Sequence, residues 1–247
     1  MLASLITVSA LLAFPVSLAA QPFADNDLTS TEMLGTIGSY RVGLNYTVRK
    51  KTELVAAHYF YASELKDIRL TGAVHGEAVE LKGEDGSFFH LHFIGNGSNG
   101  AVPLTFYNSA GLTGIWVLGS RTLPVKLAGE HGTSNPGQRL YESVTSQPDA
   151  EFESMIRAAR RAILTGDPGL AAKYVHFPLR VNIGRKHLVL QNRAQLEANW
   201  SYVFSPASIA KLREDIPHEM FVHEGEAMLG QGQLWFDDKG LTVVNAE

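Results

Sequence analysis

Several side chains in this sequence have types and spacings that chemistry could use. His90-x-His92 puts two imidazoles on one face of a strand, a spacing that can support a metal. Phe89, Leu91 and Phe93 alternate with them and make the stronger core face, so both histidines are expected to point outward and no metal site is expected. Arg180 lies in the extended run Phe177 to Asn182. If Phe177, Leu179 and Val181 pack into one layer, Arg180 faces the other way, where its rigid fork could bind a carboxylate or phosphate; pairing with a nearby acid or plain exposure is the alternative. His223 shares a strand face with Phe221 and could act as a general acid or base, or be an ordinary core or edge histidine. Strict alternation puts Glu224 and Glu226 on the opposite face from His223. Tyr174, Trp200, Tyr202, Trp235 and Phe236 would suit a ligand-lining aromatic set, and core packing explains them equally well. The pocket candidates are therefore Tyr174, Arg180, Trp200, Phe221, His223 and Trp235, with the catalytic residues unassigned.

Sharper signatures are missing. There is no Gly-x-Ser-x-Gly elbow, phosphate-binding Gly loop, HExxH or calcium loop. The chain has no Cys, which excludes disulfides, thiol nucleophiles and thiolate metal sites. The formal net charge is -4, and acids and bases balance in both halves, so no nucleic-acid or anionic-membrane footprint is expected. No cofactor is expected.

The elements that must position these residues fall into two regimes. Over 37–127 the period is two, broken by Glu84-Asp85-Gly86 and other Gly turns. That pattern predicts an antiparallel β-meander of six to eight strands, as an open sheet, half-barrel or small sandwich. Residues 128–150 collect Gly, Asn and Pro and read as a linker. From 151 to 247 the period turns helical: Phe152, Ile156, Ala159 and Ile163 share one face. Asp167-Pro168, Asn192 and Ser205-Pro206 look like helix starts, and Glu219 to Val244 is strand-like again. The fold class expected is α+β.

Leu2 to Ala20 contain no charge and end in small residues, which reads as a signal peptide over 1–20 cut after Ala19 or Ala20. Residues 21–36 would then be a flexible mature N-terminus, and the protein periplasmic or secreted. The start lacks the usual Lys or Arg, which leaves an uncleaved signal anchor as the alternative.

The segments "RAILTGDPGLAAKYVHFPLRVN", "NRAQLEANWSYVF" and "EAMLGQGQLWFDD" resemble the nuclear transport factor 2-like superfamily, the cone fold of SnoaL and ketosteroid isomerase. The resemblance covers roughly residues 150–247. It implies a C-terminal α+β cone whose curved sheet encloses an apolar pocket. Members use such a pocket for isomerisation, dehydration, ligand binding or dimerisation. This sequence has no secure match for the acid–base pair of the enzymes, so fold alone does not support an activity. The preferred reading is a noncatalytic binding or interaction module of the bacterial cell envelope. Its partner would be a small apolar ligand or an envelope protein, with a homodimer left open. A small-molecule isomerase, dehydratase or hydrolase acting in the cone is the alternative.

Overall fold

The computed structural model describes residues 28–50, 52–97, 102–130 and 138–246. The expected signal peptide, 1–20, lies outside them. Among the described residues, eight strands follow one another in the first half. They are β1 (Leu28–Ile37), β2 (Tyr40–Arg49), β3 (Glu53–Tyr61), β4 (Ile68–His75), β5 (Ala78–Gly83), β6 (Phe88–Ile94), β7 (Gly111–Leu118) and β8 (Arg121–Glu130). Each pairs antiparallel with the next, and β1 also pairs with β8, from Glu32↔Glu130 to Ile37↔Val125. The meander therefore closes into a barrel, where an open sheet, half-barrel or small sandwich was expected.

Closure depends on β1, most of which falls in the stretch expected to be flexible. Its start, Leu-Thr-Ser-Thr-Glu, reads as polar. Yet Ser30 and Thr31 are buried, and Ser30 Oγ lies 2.7 Å from Thr47 Oγ1 on β2. A polar strand can be buried where its neighbours satisfy its hydroxyls. Met33, Leu44, Tyr46, Tyr59, Phe89, Leu91, Trp116 and Leu127 fill the interior, as side chains do in a small barrel. Phe89, Leu91 and Phe93 point inward, and His90 and His92 are exposed.

The second half is a six-stranded sheet carried by short helices. Helix α1 (Asp149–Leu164) comes first, then α2 (Pro168–Ala171) and β9 (Val175–Ile183). Next are β10 (Lys186–Leu190), α3 (Arg193–Ala198), α4 (Trp200–Val203) and α5 (Pro206–Leu212). The chain ends with β11 (Phe221–His223), β12 (Glu226–Leu229), β13 (Leu234–Asp237) and β14 (Gly240–Ala246). The strand order is β10-β9-β14-β13-β12-β11, with β9 and β14 parallel and the other pairs antiparallel.

This corrects the expected α+β class and its C-terminal α+β cone. A closed barrel plus a mixed sheet is mostly β, and α1 is the one helix longer than seven residues among those described. The helix-start signals are real but local. Asp167 accepts from the amides of Gly169 and Leu170, Asn192 from Gln195, and Ser205 from Ser208. They cap elements of four to seven residues. Cap chemistry marks where a helix starts and does not set how long it runs.

Phe152, Ile156, Leu179, Phe236 and Leu241 form the core between α1 and the sheet. Residues of the stretch expected as a linker belong to the two units: β8 runs to Glu130, and Tyr141 is fully buried in this second core.

Candidate functional site

Outward-facing residues of β2 and β3 meet the segment between α5 and β11. Phe60 points away from the barrel interior and is nonetheless fully buried, with its ring edge-on to His218 at 4.4 Å. Gly43 makes room for it, since a Cβ there would lie 2.2 Å from the Phe60 ring. Beside this contact Arg41 pairs with Glu214 at 3.1 Å.

A cluster of imidazoles and carboxylates spans the same junction. His58 Nε2 lies 2.7 Å from Glu219 Oε1 and 3.6 Å from Asp67 Oδ1. His218 bridges Asp67 through Nε2 at 3.0 Å and Glu153 through Nδ1 at 2.7 Å. Glu153 is buried on α1 and receives the Tyr141 hydroxyl and the Glu219 amide, both at 2.9 Å. The Met220 amide donates to the same Tyr141 oxygen at 2.8 Å. Glu219 sits at φ +50°, a left-handed turn that sets its side chain and that of His218 in the junction.

The electrostatics follow from this wiring. Burial works against the charged form of His218, but the bonds to Asp67 and Glu153 and the charges of Glu153 and Glu219 outweigh it and raise the pKa to about 10. Burial also opposes the charge on His58, and the bond and charge of Glu219 with Asp67 still hold it above its ordinary value. For Asp67, burial pushes upward and the two imidazoles win, holding the carboxyl low. His218 is thus an imidazolium across the usual pH range. His58, Asp67 and Glu219 bring one ligand atom each within 4.8 Å of one another, the only such group among the described residues. With His58 and His218 already answering these carboxylates, the arrangement works as an ion-pair network that ties the two units together.

One wall of the junction opens into a cleft of about 600 Å³ lined by Val55, Ala56, His58, Asp67, Arg69 and Thr71. Its cause is a gap in the barrel. β3 and β4 pair only at Ala57↔Leu70, His58↔Arg69 and Tyr59↔Ile68, whereas β4 and β5 pair over six residues. Beyond Ala57 the strands separate. Val55, Ala56, Thr71, Gly72 and Ala73 are exposed on the two facing edges. A second cleft of about 320 Å³, lined by Val74, Phe93 and Phe106, lies at the far end of the same gap.

The six pocket candidates divide between the two faces of the sheet, with Phe221, Trp235 and Arg180 in one cross-strand row. Tyr174 and Trp200 pack against the second core. Arg180, Phe221, His223 and Trp235 lie on the opposite face of the sheet, because their neighbours Leu179, Val181, Leu234 and Phe236 point into the core. Arg180 is exposed, 3.6 Å from Glu226. His223 does not oppose Glu226 through the sheet: the two are cross-strand partners on one face. Glu224 and Gly225, at φ +49° and +79°, form a tight hairpin turn between them, which strict alternation along one strand did not foresee.

Sequence reading missed the junction cluster because its members come from five separate segments. One signal was present. On a helical wheel Glu153 falls within the apolar stripe of Phe152, Ile156 and Ala159, and an acid there needs a buried partner. Comparison of the chain with known protein families, with characterised proteins and with solved structures finds no match.

Proposed function

We propose that this chain is a noncatalytic binding protein whose barrel takes up an extended segment of a partner protein as an added strand between β3 and β4. The observation behind this reading is the open seam: two facing strand edges, bordered by small exposed residues and flanked by a cleft at each end. Unpaired strand edges are templates for another chain, whose main-chain hydrogen bonds supply affinity while pockets select side chains. The apolar cleft at Phe93 and Phe106 would take an anchoring side chain. Ala56 and Ala73 carry only small side chains where a backbone would approach. An enzyme of the second unit lacks comparable support, since Phe152, Leu179 and Phe236 occupy the space between helix and sheet. The uncharged Leu2–Ala20 run favours an exported setting and an envelope partner.

Because the chain has no Cys, a single introduced thiol can be labelled uniquely. Ala73→Cys carrying a bulky maleimide should lose binding to extended peptides selected from a random library by about tenfold or more. The same label at Glu197→Cys on α3 should leave it unchanged. Equal binding by both labelled proteins would reject the seam as the site.

A further inference from the structure

Five of the chain's twelve arginines line one cleft of about 460 Å³: Arg41, Arg157, Arg160, Arg161 and Arg213. They come from three separate parts of the chain. Arg157, Arg160 and Arg161 project from one side of α1, Arg41 belongs to β2 of the barrel, and Arg213 follows α5. Such crowding of like charge is costly unless anions answer it. Three carboxylates are at hand, and each is partly committed. Glu214 pairs with Arg41 at 3.1 Å, Glu153 with Arg157 at 3.3 Å, and Asp215 lines the cleft. Burial raises the pKa of Asp215 despite Arg160 and Arg41 beside it, and one of its oxygens is buried with no hydrogen-bond partner among the described residues. Glu153 also answers the charged His218, so the guanidinium groups of the cleft outnumber the carboxylates beside them.

The geometry is partly fixed in advance. Arg160 is held by its Nε to the Leu212 carbonyl at 2.9 Å and by Nη2 to the Arg213 carbonyl at 2.8 Å. Arg161 and Arg213 are exposed and make no ion pair among the described residues, so their forks are available. The other wall is apolar, formed by Leu65, Leu164, Ile216 and Pro217. An anionic group would sit against the guanidinium forks and an uncharged body against this wall.

We propose that this cleft binds a small amphiphilic oxyanion, an organic phosphate or carboxylate, with Arg161 and Arg213 gripping the anionic group. Guanidinium forks match the oxygen pairs of both chemistries through paired N–H···O bonds. The apolar wall favours a ligand that carries a ring or short chain over a bare ion. The site is separate from the β3–β4 seam and does not depend on the peptide reading.

The test is calorimetric titration of the full chain with phenyl phosphate, benzoate and inorganic phosphate. Saturable binding of phenyl phosphate or benzoate at one site, about tenfold tighter than inorganic phosphate, is the expected result. The tighter of the two organic probes identifies the source as phosphate or carboxylate. The double variant Arg161→Ala/Arg213→Ala should weaken binding at least tenfold with its circular dichroism unchanged, and Arg185→Ala, an exposed arginine between β9 and β10, should not. Three results would overturn the proposal: no saturation by about 10 mM organic probe, unchanged affinity in the double variant, or an equal loss in Arg185→Ala.

Discussion

Glu153→Ala lowers stability by about 3–5 kcal/mol, the cost of breaking a buried ion pair by removing one partner. Glu153 accepts from the Tyr141 hydroxyl, the Glu219 amide, His218 and Arg157, so one truncation strands four donors. His218 loses most, since its side chain is 11% exposed and charged. In a chain of this size the loss should lower the thermal midpoint by about 6–20 °C, read by circular dichroism. Tyr141→Phe removes only the hydroxyl between Glu153 and the Met220 amide and should cost about 1–3 kcal/mol. If Glu153→Ala shifts the midpoint no more than an exposed substitution such as Glu197→Ala, the junction is not a stabilising network.

The second large effect is a loss of stability in alkali. The His218 pKa is raised in the folded chain from 6.5 to about 10. A group raised on folding contributes its full stabilisation below the unfolded value and loses it as pH climbs through the folded one. The contribution is therefore complete below about pH 6.5 and declines towards about pH 10. A shift of this size corresponds to on the order of 3–5 kcal/mol. His58, also raised, acts in the same direction. Thermal midpoints of the natural chain should fall across this window. His218→Gln should start lower and fall less, and comparing the two proteins at each pH cancels the titration of all other groups. Parallel curves would show that His218 is not held as an imidazolium.

What the sequence made legible was local. Phe152, Ile156, Ala159 and Ile163 do share the buried face of α1, because helical period is a property of neighbours. The inward set Phe89, Leu91 and Phe93 followed from alternation on one strand for the same reason. Barrel closure did not follow, since it rests on β1 meeting β8 about a hundred residues later, through a strand whose Ser30 and Thr31 look like surface residues. The pairing of His223 with Glu226 turned on two residues, Glu224 and Gly225, that reverse the chain and so invert the face argument. The arginine cleft was hidden by averaging: charges balance within each half, and only folding brings Arg41 beside Arg157, Arg160 and Arg161. His58, Asp67, Glu153 and His218 carry no shared spacing, so three-dimensional proximity alone makes them a unit.

The seam between β3 and β4 is the claim on which the binding reading depends. Amide hydrogen exchange read by mass spectrometry measures it directly, before and after addition of a selected peptide. In the free chain, peptides covering 53–56 and 71–75 should exchange well ahead of those covering β1 and β2, whose ladder runs unbroken from Leu28↔Arg49 to Ile37↔Tyr40. Bound peptide should slow exchange in those two stretches and leave β11 to β14 unchanged. Seam amides that exchange as slowly as β1 and β2 in the free chain, or that gain no protection on binding, would contradict the account.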